Sequence, residues 1–156
     1  MGRTGDGGTA RTPNKSSSVI GIVNETAAPT AFFGRTYDEA FALLVDARNY
    51  VAYEEAFDRE NLDLFQRLVM TCETTRLTAR LTHIMSWLLF QKAVYIGEIG
   101  RSFSERARCR LSGHRVCLDD SAETERFLPP RLHTLLERSR RLYVRVARLD
   151  TFLVRD

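Results

Sequence analysis

The chain has 156 residues, 44% of them hydrophobic and 28% charged, which suits one folded domain with a single core. Its 23 basic and 20 acidic residues give a net charge of only +3, so the chain is not a polycation. No apolar run approaches the roughly 20 residues of a membrane span, and three cysteines do not make a disulfide framework. We therefore expect a cytoplasmic protein that does not enter a membrane.

The charges are unevenly distributed along the chain. Residues 1–63 carry 6 basic and 10 acidic side chains, whereas residues 64–156 carry 17 basic and 10 acidic ones. Of the 23 basic residues, 21 are arginine, the side chain that favours fixed, bidentate ion pairs. This asymmetry predicts contacts between the two halves of the domain or with protein partners.

Residues 1–35 are rich in Gly, Ser, Thr, Pro and Ala and show no sustained periodicity, which predicts a disordered N-terminal arm. The helical domain is then expected at 36–156. Within the arm, Val19–Val23 is an apolar stretch, as is the pair Phe32 and Phe33. Loose packing of these residues on the domain and docking to a partner both remain open.

The first helix is expected to begin at Thr36, because Thr36 and Glu39 have the spacing of a capping box. We expect this helix to end near Phe57 and to be followed by a polar turn at Asp58–Asp63. A second cap, formed by Asp63 and Gln66, opens a central helix that no Pro or Gly interrupts before Gly97.

Two apolar stripes follow the central helix. The first contains many small residues: Phe65, Leu68, Cys72, Thr75, Ala79, Thr82, Ser86, Leu89, Ala93 and Ile96. The second contains larger ones: Leu77, Leu81, Ile84, Leu88 and Tyr95. Since the helix is apolar on every side around 85–90, we expect packing partners on at least two of its faces.

The connection at 98–129 is expected to be partly helical. A third capping box at Ser102–Glu105 and a glycine at position 113 predict a short helix over 103–112, ended by Gly113. Pro130 then suits the first position of the last helix. Its apolar residues follow a heptad in which Ser139 is the one polar member: Leu132, Leu135, Leu142, Val146, Leu149 and Leu153. The pattern predicts an all-α, three-helix bundle, because the strand-like alternation at Val144–Val146 is too short to compete.

A metal site is the most specific chemical hypothesis that the sequence allows. Cys109, His114 and Cys117 could supply three ligands, with His133 or Asp119 as a fourth. Their spacing is not that of a zinc ribbon or finger and arginines surround them, so two unrelated thiols are the better interpretation. No other nucleophile, acid–base pair or phosphate-binding motif is present, and we predict neither an enzyme nor a cofactor.

The last helix carries several arginines outside its apolar stripe: Arg131, Arg138, Arg140, Arg141, Arg145 and Arg148. Three interpretations remain open. They form a solvated face with intramolecular ion pairs, they bind an acidic protein partner, or they contact nucleic acid. The last is disfavoured because no recognition motif is present and the acidic first half would repel phosphates.

Three segments together resemble one known family: TYDEAFALLVDARNYVAYEE at 36–55, ETTRLTARLTHIMSWLLFQKAVYIGEI at 73–99, and LPPRLHTLLERSRRLYVRVARLD at 128–150. They are similar to the alphaproteobacterial RcdA family, named for regulating the degradation of the cell-cycle regulator CtrA. The motif RLTxRL followed by SWLLxQxAV in the second segment is the most specific part. These are helix-packing patterns rather than catalytic signatures, and the likeness covers residues 35–150.

The resemblance implies a dimeric three-helix bundle that acts as an adaptor for the ClpXP protease. A response regulator would prime ClpX, and the adaptor would bring protein substrates such as cell-cycle transcription regulators. A nucleic-acid-binding regulator is the alternative. For the interface we predict two exposed charged groups, one around the first turn and one on the last helix: Glu54, Glu55, Asp58, Arg59, Arg141, Arg145 and Arg148.

Overall fold

The structure, a computed structural model, describes residues 27–100, 109–121 and 125–153. These ranges contain α1 (Ala27–Tyr53), α2 (Glu55–Glu60), α3 (Leu64–Tyr95), α4 (His114–Cys117) and α5 (Pro130–Phe152), and none of the residues in them lies in a strand. The predicted all-α, three-helix bundle with a long central helix is confirmed. Val144–Val146, where the strand-like alternation occurs, lies within α5.

The three long helices α1, α3 and α5 each pack against the other two. Helix α1 runs antiparallel to α3, because Phe33 near its beginning contacts Trp87 near the end of α3. Helix α5 runs parallel to α3, since Arg80 bonds the carbonyl of Leu136 while Trp87 bonds Asp150 further along. The connection from 96 to 129 is long enough to return the chain to the same end of the bundle for this parallel pairing.

The core forms between one face of each long helix. On α3 the large-residue stripe supplies it, because Leu77, Leu81, Ile84 and Leu88 are buried, whereas Tyr95 is exposed. On α5 the predicted heptad is buried from Leu132 to Val146 and is joined by Leu136 and Tyr143, whereas Leu149 is half-buried and Leu153 is exposed. Other core residues come from α1 and the connection: Ala40, Leu43, Ala47, Tyr50, Leu111, Cys117 and Leu128.

Two of the predicted helix starts are confirmed. The Asp63 carboxylate accepts a hydrogen bond of 2.8 Å from the Gln66 amide, and the Gln66 side chain accepts one of 3.1 Å from the Asp63 amide. This reciprocal pair satisfies two amides that the first turn of α3 leaves without helical partners. Pro130 occupies the first turn of α5, where its missing amide proton costs nothing.

The predicted start of the first helix at Thr36 is wrong, because α1 begins at Ala27. Thr36 is a buried residue in the interior of α1, so it cannot act as its cap. A helix tolerates Pro29 in its first turn, and Gly34 weakens a helix without ending it. Of the predicted arm, residues 27–35 belong to α1, while residues 1–26 lie outside the described part of the chain.

The end of the first helix also differs from the prediction. Helix α1 ends at Tyr53, and after a break at Glu54 the short α2 continues to Glu60, so helix occupies half of the predicted turn at 58–63. For the short helix predicted over 103–112, residues 101–108 lie outside the described ranges, and residues 109–112 are not α-helical. Gly113 has the expected left-handed backbone (φ 83°), but it precedes α4 instead of ending a helix.

Candidate protein-interaction surface

The small-residue stripe of α3 lies on the side of the helix away from the core. We call it the outer face: Phe65, Leu68, Cys72, Thr75, Ala79, Thr82, Ser86, Leu89, Ala93 and Ile96. Its large residues are strongly exposed, with exposed fractions of 69% for Phe65, 60% for Leu68, 49% for Leu89 and 55% for Ile96. Helix α3 packs against α1, α4 and α5, which agrees with the expectation of partners on at least two of its faces, while the outer face stays exposed.

The polar groups of the outer face are satisfied by the helix itself. The Thr75 hydroxyl donates to the carbonyl of Thr71 at 2.8 Å, and the Thr82 hydroxyl donates to that of Thr78 at 2.8 Å. Each threonine therefore needs no partner for its hydroxyl, and the face is less polar than its composition suggests. At 1.5 Å per residue, the face runs for about 46 Å between Phe65 and Ile96.

Further apolar side chains are exposed where α1, α2 and α3 follow one another. Tyr53, Phe57 and Leu64 are each at least two-thirds exposed, and they precede Phe65 of the outer face in the chain. Exposed apolar groups of this number are unusual on a monomer and are typical of surfaces that bind another protein. This end of the bundle therefore extends the outer face as a candidate contact region.

The predicted acidic turn is largely engaged in contacts within the chain. Glu54 forms an ion pair of 3.3 Å with Arg131 of α5, and Glu55 pairs with Arg59 one helical turn later. The Asp58 carboxylate accepts a hydrogen bond of 2.9 Å from the Tyr50 hydroxyl. The pKa of Tyr50 is raised well above its ordinary value, mainly by burial and to a smaller extent by this hydrogen bond. These bonds tie α2 back to α1, so part of the turn is structural.

Three ion pairs form a ladder that connects α5 to α1 and to Glu54, the residue directly after α1. Besides the Glu54 pair, the Arg138 guanidinium lies 3.1 Å from the Asp46 carboxylate, and Arg145 pairs with Glu39. The arginines of the ladder are seven residues apart, and the carboxylates are seven or eight apart, which is the spacing that keeps two antiparallel helices in register. This spacing is present in the sequence, but pairing its members requires the register of the two helices.

The ladder changes the interpretation of the basic last helix. Arg138 and Arg145 face carboxylates of α1, Arg131 faces that of Glu54, and Arg140 pairs with Asp120 at 2.7 Å. Arg141 pairs with Glu137 on its own helix while staying largely exposed. Of the predicted interface residues, the structure thus brings Glu54 and Arg145 into the same ladder, and leaves Arg141 and Arg148 on the exposed side of α5.

A buried arginine holds the connection against the bundle. Arg80 is completely buried, and its guanidinium donates to the carbonyls of Cys117 and Asp119 at 2.7 Å and of Leu136 at 3.1 Å. These bonds compensate for removing a charged group from water. This role is not visible in the amino-acid sequence, because nothing there distinguishes Arg80 from an arginine on the surface of a helix.

Glu73 lies two turns before Arg80 and is 1% exposed. One of its carboxylate oxygens pairs with Arg76, and the other, Oε2, has no hydrogen-bond partner. Burial raises the pKa of Glu73, and the nearby Arg76 and Arg80 oppose that shift. Arg76 also reaches the Asp119 carboxylate at 3.0 Å. The cluster is a structural junction between α3 and the connection.

The proposed metal ligands are not assembled into a site. Cys109 and Cys117 are buried, whereas His114 is exposed and lies edge-on to the Tyr143 ring. Burial raises the pKa of the Cys117 thiol, which disfavours the thiolate that a metal would need. Within the described ranges, no group of three His, Cys, Asp or Glu side chains is arranged to hold an ion.

None of the helices in the described residues is long and apolar enough to cross a membrane. Even α3, with 32 residues, carries charged side chains along its length.

Comparisons with known proteins agree with this architecture. A family model described as "Protein of unknown function (DUF1465)" matches residues 24–156. The crystal structure of RcdA from Caulobacter crescentus CB15 is similar to this chain with a TM-score of 0.64 and 31% sequence identity, over 80% of this chain and 92% of that one. No curated protein matches it. The match to RcdA and the match to the family model together show that the chain belongs to the RcdA (DUF1465) family.

Proposed function

We propose that this protein is a non-enzymatic adaptor that tethers protein substrates, or further adaptors, to the ClpXP protease for regulated proteolysis in the cell cycle. The similarity to RcdA over most of both chains is the observation that carries the proposal. The exposed outer face of α3 supports it, because an adaptor needs surface that its own fold does not use.

Tethering explains how a bundle without an active site can accelerate degradation. A substrate held beside the unfoldase experiences a raised effective concentration, which a linked pair of binding events can increase by roughly 10² to 10⁴ in avidity. The adaptor contributes binding surfaces and no chemistry. In this scheme a response regulator primes ClpX, the adaptor binds the primed complex, and the cargo is a cell-cycle transcription regulator in the cytoplasm.

We further propose that the protein acts as a homodimer and that the outer face supplies at least one of its protein contacts. Small side chains such as Ala79 and Ser86 permit close approach of another helix, while Leu68 and Leu89 offer apolar area on either side. The predicted charged residues Arg141 and Arg148 are proposed as an electrostatic contact for an acidic partner.

The decisive experiment is a reconstituted degradation reaction with ClpXP, its priming regulator, a substrate and this protein. We expect faster loss of the substrate when the protein is added. Leu68→Asp/Leu89→Asp should abolish the acceleration, and Arg141→Glu/Arg148→Glu should weaken it. Thr134→Asp, on an exposed position of α5 outside both surfaces, is the matched control and should act like the wild type. Unchanged degradation with all authentic partners present would contradict the proposal.

The ion-pair ladder bears on the alternative, a nucleic-acid-binding regulator. Because three arginines of α5 face carboxylates of α1 or of Glu54, less positive charge is available to phosphates. A binding titration with duplex DNA at low and high salt separates the two functions. Tight, salt-dependent binding that Arg141→Glu/Arg148→Glu removes would favour the alternative over the adaptor.

A further inference from the structure

A groove lies between the beginning of α1 and the end of α3, away from the outer face over most of its length. It has a volume of about 410 Å³ and is lined mainly by Phe33, Tyr37, Leu88, Tyr95 and Ile96, with polar groups at its edges. Tyr95 remains 62% exposed there. Its size is in the range of cavities that bind small ligands or a few side chains.

The polar rim of the groove does not select a charged ligand. The Lys92 ammonium lies 5.7 Å from the centre of the Tyr37 ring, in a cation–π contact, and Asp38 supplies a neighbouring negative charge. With one charge of each sign at the rim, the interior is suited to uncharged, apolar side chains. An apolar occupant is therefore expected.

We propose that the chain's own segment Val19–Val23 occupies this groove and that Ile20 and Ile22 are the side chains that enter it. The segment is the apolar stretch of residues 1–26, and residues 16–24 around it carry no charge. Its four β-branched residues favour an extended backbone, on which Ile20 and Ile22 lie on one side while Val19 and Val23 lie on the other.

The distances along the chain fit this assignment. From Ala27, where α1 begins, to Phe33 is six residues, or about 9 Å of helix. The three residues that join Val23 to Ala27 can span about 10 Å, and they include Asn24, a residue type common in chain reversals. Doubling back along α1 therefore brings Ile22 level with Phe33. In an extended chain Ile20 lies about 6.6 Å further, close to the roughly 6 Å between Phe33 and Tyr37.

This contact covers an apolar surface that would otherwise face water. It also means that the groove is open to a partner only when the segment has left it. A partner with apolar side chains must displace Val19–Val23 before it can bind there. Because the segment is joined to α1 by a short linker, its effective concentration at the groove is in the millimolar range, so it competes strongly with free peptides. The inference does not depend on which protease or substrate the protein serves.

Trp87 provides a direct test, because it is the single tryptophan of the chain and contacts Phe33 in the groove wall at a ring distance of 6.0 Å. A quenching nitroxide is attached to Ser18→Cys in the full chain carrying Cys72→Ser, which removes the exposed native thiol. We expect the label to quench Trp87 emission. Adding Ile20→Asp/Ile22→Asp should abolish the quenching, while the matched control Val19→Asp/Val23→Asp, with the same charge, should retain it.

Gly34 offers a second variant that leaves the segment unchanged. A Cβ added at Gly34 meets nothing within 4 Å, and Gly34 lines the groove, so the longer side chain of Gly34→Leu should block the groove and abolish the quenching, unlike Gly34→Ala. Equal quenching in all variants would overturn the proposal. Quenching that falls when the protein is diluted would assign the groove to a second copy and overturn it as well. Absence of quenching in the labelled protein that carries no further substitution would show that Val19–Val23 does not occupy the groove, and it would also overturn the proposal.

Discussion

The inner and outer faces of α3 are both apolar, but only the inner face is buried. The inner face consists of large side chains that are buried against α1 and α5, such as Leu77, Leu81 and Ile84. The outer face has an equally regular apolar stripe, yet Leu68 and Leu89 are about half exposed or more. Periodicity thus identifies the apolar faces of a helix, whereas the helices that pack against it decide which of those faces are buried.

The largest effect is expected from Arg80, which closes the inner face against the connection. Arg80→Met keeps much of the side-chain volume but leaves the carbonyls of Cys117 and Asp119 without a donor, whereas that of Leu136 still accepts a hydrogen bond from the Ser139 hydroxyl. We expect the free energy of unfolding to fall by about 3–5 kcal/mol, since each buried unsatisfied group costs about 1–3 kcal/mol. Chemical denaturation measures it. Arg131→Met, which removes an exposed ion pair, is the control and should change stability by less than about 1 kcal/mol.

A pair of leucines compares the two faces directly. Leu81→Ala on the inner face should lower the free energy of unfolding by about 2–5 kcal/mol, because it opens a cavity in the core. Leu89→Ala on the outer face should change it by about 0.5 kcal/mol or less in the monomer. Equal losses at low protein concentration would contradict the exposure of the outer face.

Two glycines with the same backbone test how closely the connection packs on the flank of α3. Gly113 and Gly97 have φ of 83° and 79°. A Cβ at Gly113 would lie 2.5 Å from Nε2 of His83, whereas one at Gly97 meets nothing within 4 Å. Gly97→Ala should cost about 1 kcal/mol for the left-handed backbone alone, and Gly113→Ala should cost clearly more. Thermal unfolding of both variants gives the difference, and similar losses would argue against the His83 contact.

The buried Glu73 should make the free energy of unfolding depend on pH. Its pKa in the folded state is raised above the ordinary 4.5, so its favourable contribution is complete below the unfolded pKa and is lost as pH rises through the folded one. Glu73→Gln removes this loss. The free energy of unfolding of the variant, relative to the wild type, should therefore increase with pH across that window in denaturation curves. A difference that stays constant with pH would contradict the direction of the shift.

The smallest expected effect concerns the reactivity of the native cysteines, which differ in exposure. Cys72 is exposed on the outer face, whereas Cys109 and Cys117 are buried. We expect one thiol to react rapidly with an alkylating reagent in the native protein and three to react after denaturation. If the proposed dimer uses the outer face, raising the protein concentration should slow the reaction of Cys72. Mass spectrometry identifies the modified thiol.

Much of the candidate surface could be read from the sequence, although its role was assigned differently. The outer face was recognised as an apolar stripe whose small residues allow close approach of another helix, but the sequence did not show that this stripe would remain exposed. The charged pairs of the ladder were anticipated only as attraction between an acidic first half and a basic last helix. Their partners, such as Arg145 with Glu39, required the register of two helices that are a hundred residues apart.

The amino-acid sequence by itself determined the helices, because caps, apolar periods and the placement of proline act over a few residues. It determined in this way that Asp63 caps α3, that α5 begins at Pro130 and that the protein is an all-α bundle. Only the tertiary structure decided that α1 starts at Ala27, that Arg80 is buried and that the outer face of α3 remains open. These outcomes depend on which segments meet in space, and that is a property of long-range packing that local pattern does not contain.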